Sequence, residues 1–200
     1  MLPETILAFD TSAAHCAAAL LCDGRIVGDA FEAMEKGQAE RLMRLLEQVL
    51  SDAGLAWADL TSIAVGIGPG NFTGARIAVA AARGLALGLG IPAIGVTRLE
   101  ALAHSLPRPV TVMEDARRGD VYVQTFDGGA AQIMPMADLP TFDHSTTGNA
   151  APNPLPPNMP LTHAIAYIAA ARAQPQPRPA PFYLRAADAA PSAIRPPVML

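Results

Sequence analysis

Residues 65–90 read VGIGPGNFTGARIAVAAARGLALGLG. The stretch opens as a glycine-rich loop and ends as a segment with almost no polar side. Gly66, Gly68, Gly70 and Gly74 let the backbone turn tightly and expose N–H groups. Thr73 is a good helix N-cap, and a helix start attracts anions. The loop is not a Walker A sequence, since no Gly-Lys-Ser/Thr follows, and Pro69 interrupts the dinucleotide spacing. Two readings stay open at this point, a phosphate cradle and a structural tight turn.

A helix is expected from about Thr73 to Leu89. Arg76 and Arg83, seven residues apart, form its one narrow polar stripe among alanines, leucines, Ile77 and Val79. A helix this apolar is normally buried on most sides, whereas its own sheet covers only one. Either a second lobe covers the remainder or a partner protein does.

Working outward, TILAFDT (5–11) reads as a buried strand. Residues 15–22 and 25–31 flank CDGR, and Asp-Gly between strand-like runs signals a hairpin. Leu42, Leu45, Leu46, Val49, Leu50 and Ala53 recur at helical spacing, Met43 widens the stripe, and Gly54 fits a stop after the helix. SIAVGIG and IPAIGV read as further strands, and TRLEALAHSL starts a third helix. Strand, hairpin, helix, strand, helix, strand is an α/β pattern around a mixed sheet. Only three of the nineteen prolines precede residue 105. Beyond it, VTVMEDARRGDVYVQTFDG reads as two strands around an Arg-Gly turn, with a third near AAQIMPM. APNPLPPNMP is a loop or linker, LTHAIAYIAAARAQ is a short helix, and the tail PFYLRAADAAPSAIRPPVML is extended. The division expected is one lobe over 1–104 and a second, shorter one over 105–200.

The 200 residues carry a formal charge of −4, half of them are apolar, and Lys36 is the one lysine. No basic stripe is available for gripping RNA alone. Cys16 and Cys22 share one strand about 20 Å apart, too far for a disulfide, and fit a reducing compartment. The N-terminus shows no signal peptide pattern. Ile77–Val96 is the best membrane-span candidate, but Arg83, four glycines and Pro92 argue for a helix followed by a strand. His15, His104, His144 and His163 lack metal-ligand spacing. No Gly-x-Ser-x-Gly elbow is present. Asp10, Thr11 and Ser12 end the first strand, where they would contact a phosphate or ion, or satisfy a turn. Glu114 and Asp115 read as acid–base partners or, more simply, as a solvated turn.

Several segments together resemble one family. ILAFDTS, the hairpin, GQAERLMRLLEQVL, GIGPGNFTGARIAVAAARGLALGLGIPAIGVTRLEALA, DARRGDVY and FYLR occur in the order seen in TsaB, formerly YeaZ. The resemblance covers nearly all of residues 5–126 and the PFYLR segment. It implies an actin-like ATPase fold of two ribonuclease-H-like lobes, each with a mixed sheet and helices, the second abbreviated. It implies a cytoplasmic, non-catalytic relative of TsaD, the subunit that transfers threonylcarbamoyl to the adenosine beside the anticodon of tRNAs reading A-starting codons. TsaD carries a metal-binding His-x-x-x-His on its first-lobe helix, while the corresponding GQAERLMRL has no histidine. The family binds TsaD through the two first-lobe helices and self-associates there, TsaE acts on the complex, and tRNA is met through the complex. The expected interface is Leu42, Leu46, Val49, Ile77, Ala78, Ala81, Ala82 and Leu85. Asp10, Thr11, Ser12, Gly68, Gly70, Thr73 and Gly74 lie where the superfamily holds nucleotide phosphates. No metal, catalytic residue or firm cofactor is expected. The rival readings are an autonomous ATPase or kinase using Asp10 and the glycine loop, and a peptidase.

Overall fold

The structure is a computed structural model that describes residues 4–185. The end of the tail expected to be extended, residues 186–200, lies outside the described residues. Strand β1 (Thr5–Asp10) is buried at every position and pairs antiparallel with β2 (His15–Cys22). β2 pairs in turn with β3 (Arg25–Ala33) across the Asp23–Gly24 turn, whose two residues take positive φ of 45° and 74°. That is the geometry that makes Asp-Gly favourable in a hairpin. β4 (Ser62–Gly66) and β5 (Ala93–Val96) join in parallel, giving the order β3-β2-β1-β4-β5.

Alternate residues of β1 leave the sheet on opposite faces. Leu7 and Phe9, with Leu20 of β2, join the leucines of α1 (Gln38–Asp52) and Ala78 and Ala82 of α2 (Phe72–Leu89) in one core. Ile6, Ala8 and Leu21 point the other way, against α4 (Leu161–Ala171), where Ile165 is fully buried. A sheet covered on both faces explains why ILAF (6–9) is apolar throughout rather than alternating.

The second sheet has the order β8-β7-β6-β9, built from β6 (Val110–Arg117), β7 (Asp120–Phe126), β8 (Gln132–Pro135) and β9 (Ser145–Thr147). Strand β9 was not expected from the sequence. Helix α3 (Arg98–Ala103) begins with a reciprocal cap: Glu100 N donates to Thr97 Oγ1 at 3.1 Å, and Thr97 N donates to Glu100 Oε2 at 2.8 Å. Leu99 and Leu102 of this helix pack on Val110 and Val112 of β6. The two sheets with their helices form the two-lobed, actin-like arrangement. The division at residue 105 needs correction, because α4 belongs to the second segment yet covers the first sheet. Apolar Ala164, Ile165, Ala166 and Ala169 find their burial there, and the abbreviated second lobe offers no second helix of its own among the described residues.

Two local expectations also change. α2 is capped by Asn71, whose side chain accepts from Gly74 N at 2.8 Å, so Thr73 lies inside the first turn and is exposed. Of the eight expected interface residues, Leu42, Leu46, Val49, Ala78 and Ala82 are at most 3% exposed and belong to the chain's own core. Ile77, Ala81 and Leu85 are partly exposed. An almost uniformly apolar helix carries little phase information, so its inward side could not be read from hydropathy alone. By length and composition α2 could cross a membrane, but Ala75, Ala78, Val79 and Ala82 are seated in the fold and the helix stops at Gly90, φ 68°.

A charge on the inward side of α2 must therefore disrupt the lobe rather than only an association. Ala82→Glu is expected to cost at least about 3 kcal/mol of stability, read from urea denaturation followed by circular dichroism. An unchanged midpoint would contradict this placement of the helix.

Candidate functional site

The end of β1 and the glycine loop meet at the floor of a cleft between the lobes. Their contact is mostly backbone on backbone. A Cβ on Gly74 would overlap the carbonyl of Thr11, one on Gly70 the carbonyl of Ser12, and one on Gly66 the carboxylate of Asp10. Thr11 Oγ1 donates to Gly74 O at 2.7 Å, and Asn71 N donates to Ser12 O at 2.6 Å. Gly68 takes φ 89°, open to glycine without strain, and its carbonyl accepts from Arg98 N at 2.7 Å. These glycines let one loop approach another.

Asp10 is wholly buried. Its Oδ1 accepts from Ser12 N at 3.0 Å and Ser12 Oγ at 3.1 Å, and lies 2.7 Å from His15 Nε2. Oδ2 is buried without a hydrogen-bond partner, against Gly66. Burial pushes the carboxyl pKa up, but the hydrogen bond and charge of His15, the charge of Arg98 and the Ser12 hydroxyl outweigh it, leaving the group below its ordinary value. Asp10, Thr11, Ser12, Gly70 and Gly74 are thus engaged in holding two loops together, and Thr73 points to solvent. As arranged, these residues do not fit a nucleotide phosphate.

The cleft has a volume of about 400 Å³, and its walls include Ser12, Glu35, Asn71, Arg98, Glu114 and Asp115. The solvated-turn reading of Glu114 fails: it is 5% exposed, its Oε2 accepts from Arg98 Nε at 2.6 Å, and its Oε1 accepts from Asn149 N at 2.9 Å. Arg98 starts α3 and Glu114 lies on β6, so the pair joins the two lobes. Asp115 is exposed and caps the bulge of its own hairpin by accepting from Arg117 N at 2.7 Å. Glu114 and Asp115 therefore point to different surroundings, as neighbours on a strand do, and do not form an acid–base pair.

The FYLR segment closes the same region from outside. Phe182 N donates to Ile67 O at 2.8 Å, Arg76 Nε donates to the Tyr183 hydroxyl at 2.7 Å, and the Arg76 guanidinium lies 3.6 Å over Phe72. Arg185 then donates to Asp120 Oδ2 at 2.7 Å and Ala116 O at 3.1 Å on the β6–β7 hairpin. The segment runs from the first lobe to the second.

A hydroxyl–imidazole–carboxylate series was also missed, because Thr111 lies 33 residues before His144, which adjoins Asp143. Thr111 Oγ1 lies 2.8 Å from His144 Nε2, and His144 Nδ1 lies 3.2 Å from Asp143 Oδ1. Thr111 is wholly buried, so a substrate carbonyl cannot reach it. Cys16 is buried, and burial raises its thiol to about 11, which makes it a poor nucleophile. Among the described residues no group of three or more His, Cys, Asp or Glu could hold a metal ion.

Asp10→Asn should destabilise the chain at pH 7 by about 1–3 kcal/mol. A carboxylate with a depressed folded pKa contributes stability that is full above the unfolded value near about pH 4 and is lost as pH falls through the folded value. Urea midpoints of wild type and variant should therefore converge below about pH 4. A gap independent of pH would show that charge plays no part.

Comparison with known proteins agrees with this geometry. The family model TsaD, tRNA N6-adenosine threonylcarbamoyltransferase, matches residues 32–160. The Escherichia coli tRNA threonylcarbamoyladenosine biosynthesis protein TsaB is 38% identical over 122 residues, 58% of this chain and 52% of that protein. The chain thus spans about half the length of that curated relative. An uncharacterized Mycobacterium tuberculosis protein is 34% identical over 205 residues, covering 96% of both chains. A crystal structure from Pseudomonas aeruginosa, described as an uncharacterized protein with similarity to peptidase YeaZ, superposes with a TM-score of 0.77 at 29% identity, covering 91% of this chain and all of that one. With the two-lobed fold, the ordered motifs and these matches in agreement, the chain belongs to the TsaB (YeaZ) family of tRNA threonylcarbamoyladenosine biosynthesis.

Proposed function

We propose that this chain is a non-catalytic subunit that docks onto TsaD and supports threonylcarbamoyl transfer to tRNA, acting in the cytoplasm. The observation that carries the proposal is the outward side of α2. Ala80, Gly84 and Gly88 follow at four-residue spacing and are exposed. A Cβ on Gly84 or Gly88 would meet nothing within 4 Å, so the fold itself has no packing reason for glycine there. Each glycine costs the helix about 0.8–1.0 kcal/mol relative to alanine. A closely approaching helix from another protein gives that cost a reason, since small residues let backbones come near.

Beside this ridge, α1 presents Met43, 39% exposed, between exposed Glu40 and Glu47. The revised interface is Met43, Ile77, Ala80, Ala81, Gly84 and Gly88. TsaD fits as the occupant because the TsaD family model itself matches this chain, α1 and α2 included. Two related first lobes can then pack their helix pairs about a pseudo-twofold axis, and a second copy of this chain could compete for the same face. In this reading TsaE and tRNA engage the assembled complex, and nucleotide is bound by other subunits.

Gly88→Arg and Ala80→Glu should each abolish co-elution with TsaD and lower tRNA modification in a reconstituted assay. Gly88→Arg should keep or raise the melting temperature, because removing a helix glycine returns about 0.5–1 kcal/mol. Retained co-elution in both variants would reject this face as the interface. For the cofactor question, calorimetry of the isolated chain with Mg-ATP should give no binding heat. A saturable signal abolished by Asp10→Asn would instead favour the ATPase reading.

A further inference from the structure

The chain is acidic overall, yet its charges are segregated. From Leu60 to Leu99 it has three arginines and no Asp or Glu, and from His144 to Arg185 the same is true. Four of these six arginines already have partners: Arg98 with Glu114, Arg172 with Glu100, Arg185 with Asp120, and Arg76 with the Tyr183 hydroxyl. Arg83 and Arg178 are exposed, and among the described residues neither has an acidic side chain in ion-pair reach.

Both line the same groove, of about 500 Å³, between the C-terminal half of α2 and the proline-rich segment after α4. Its surface is apolar: Leu87 is 82% exposed, and Ile91, Pro92 and Pro175 also line it. On the helix wheel Arg83 and Leu87 are about 120° from Ile77, Ala81 and Gly88. The groove therefore adjoins the ridge assigned above to TsaD, sharing Gly84 with it, and is not lined by Ile77, Ala81, Gly88 or Met43 of that face.

We infer that this groove docks an acidic, amphipathic peptide segment of a partner protein, with apolar side chains on Leu87 and Ile91 and carboxylates on Arg83 and Arg178. The charge complementarity decides the occupant. Two unpaired guanidiniums bordering apolar ground suit Asp or Glu placed beside Leu, Ile or Phe. A nucleic-acid backbone would need a denser row of cations and gains nothing from Leu87 or the prolines. The proposal goes beyond the TsaD reading and does not depend on it.

The test is selection of displayed random peptides of about twelve residues on the full chain, with counter-selection on the Arg83→Glu/Arg178→Glu variant. Enriched peptides should carry acidic residues flanking an apolar pair. By fluorescence anisotropy they should bind the double variant about tenfold or more weakly, and weaken with salt. Both substitutions are on the surface, so melting should shift by no more than about 2 °C. Met43→Glu, on α1 and outside the groove lining, should leave peptide binding intact even where it abolishes TsaD co-elution, so this inference and the TsaD reading fail separately. Enriched peptides that lack acidic residues or bind the double variant equally well would overturn the inference. So would displacement of the peptide by oligouridylate at comparable concentration, which would mark a nucleic-acid surface. Sedimentation showing that the wild-type chain dimerises and the double variant does not would assign the groove to a second copy.

Discussion

The first lobe depends on two loops touching without side chains between them. The turn Asp10–Thr11–Ser12 can lie on the glycine loop only because residues 66, 70 and 74 present no Cβ to it. The approach lets Thr11 hold the first turn of α2 and Ser12 receive Asn71 N, so the end of β1 fixes where α2 begins. The helix direction is then set by a covalently short path, from β4 through the loop to Asn71, and its inward side falls on β4 and β1. A buried ionised carboxylate stands at the centre of this contact, held by His15 and Ser12. That makes the junction costly to open, since an unpaired buried charge would result.

The same close approach limits chemistry. A loop that cradles phosphate must leave its N–H groups and neighbouring side chains available to the ligand. Here Asn71 N donates to Ser12 O, the Asn71 side chain accepts from Gly74 N, Thr11 donates to Gly74 O, and Asp10 is held by Ser12 and His15. On the opposite wall Glu114 answers Arg98 and Asn149. The cleft is thus a joint between lobes, braced by Arg98–Glu114 within and by Tyr183 and Arg185 of the returning segment outside. These ties span sequence separations from 16 to 107 residues, and they let a short second lobe with few helices hold its place against the first.

Patterns confined to one element were legible in the sequence. TILAFD is a strand buried on two faces, Asp-Gly closes a hairpin, and α1 alternates leucines with charges, so each pattern contains its own answer. The ordered motifs likewise carried the family and its two-lobed fold. Features decided by a distant neighbour were not legible. Glycine at 70 and 74 looks the same whether it makes room for a phosphate or for the backbone of Thr11 and Ser12. Glu114 looks like a turn residue until Arg98 is brought beside it. α4 looks like part of its own lobe until its alanines and Ile165 meet the first sheet. The sharpest loss was the phase of α2. With apolar residues on nearly every side, periodicity could not say that Ala78 and Ala82 face inward while Ala80, Gly84 and Gly88 face out, although the excess of apolar surface itself was visible.

That excess, now placed, separates a structural helix from a docking one. A helix serving only its own core would gain from larger residues where it meets the sheet and from polar, helix-favouring residues outside. α2 has glycine and alanine on its outward side, where no atom of the chain explains them, and an 82% exposed leucine further along. Natural helices lose stability by such choices, and an apolar outer surface risks aggregation. Packing within the chain accounts for the inward alanines and leaves the outward glycines without a cause. Close contact with another molecule supplies one, because only there does the missing Cβ change a distance that matters. On this argument the docking face of α2 is defined by its exposed glycines more than by its leucines.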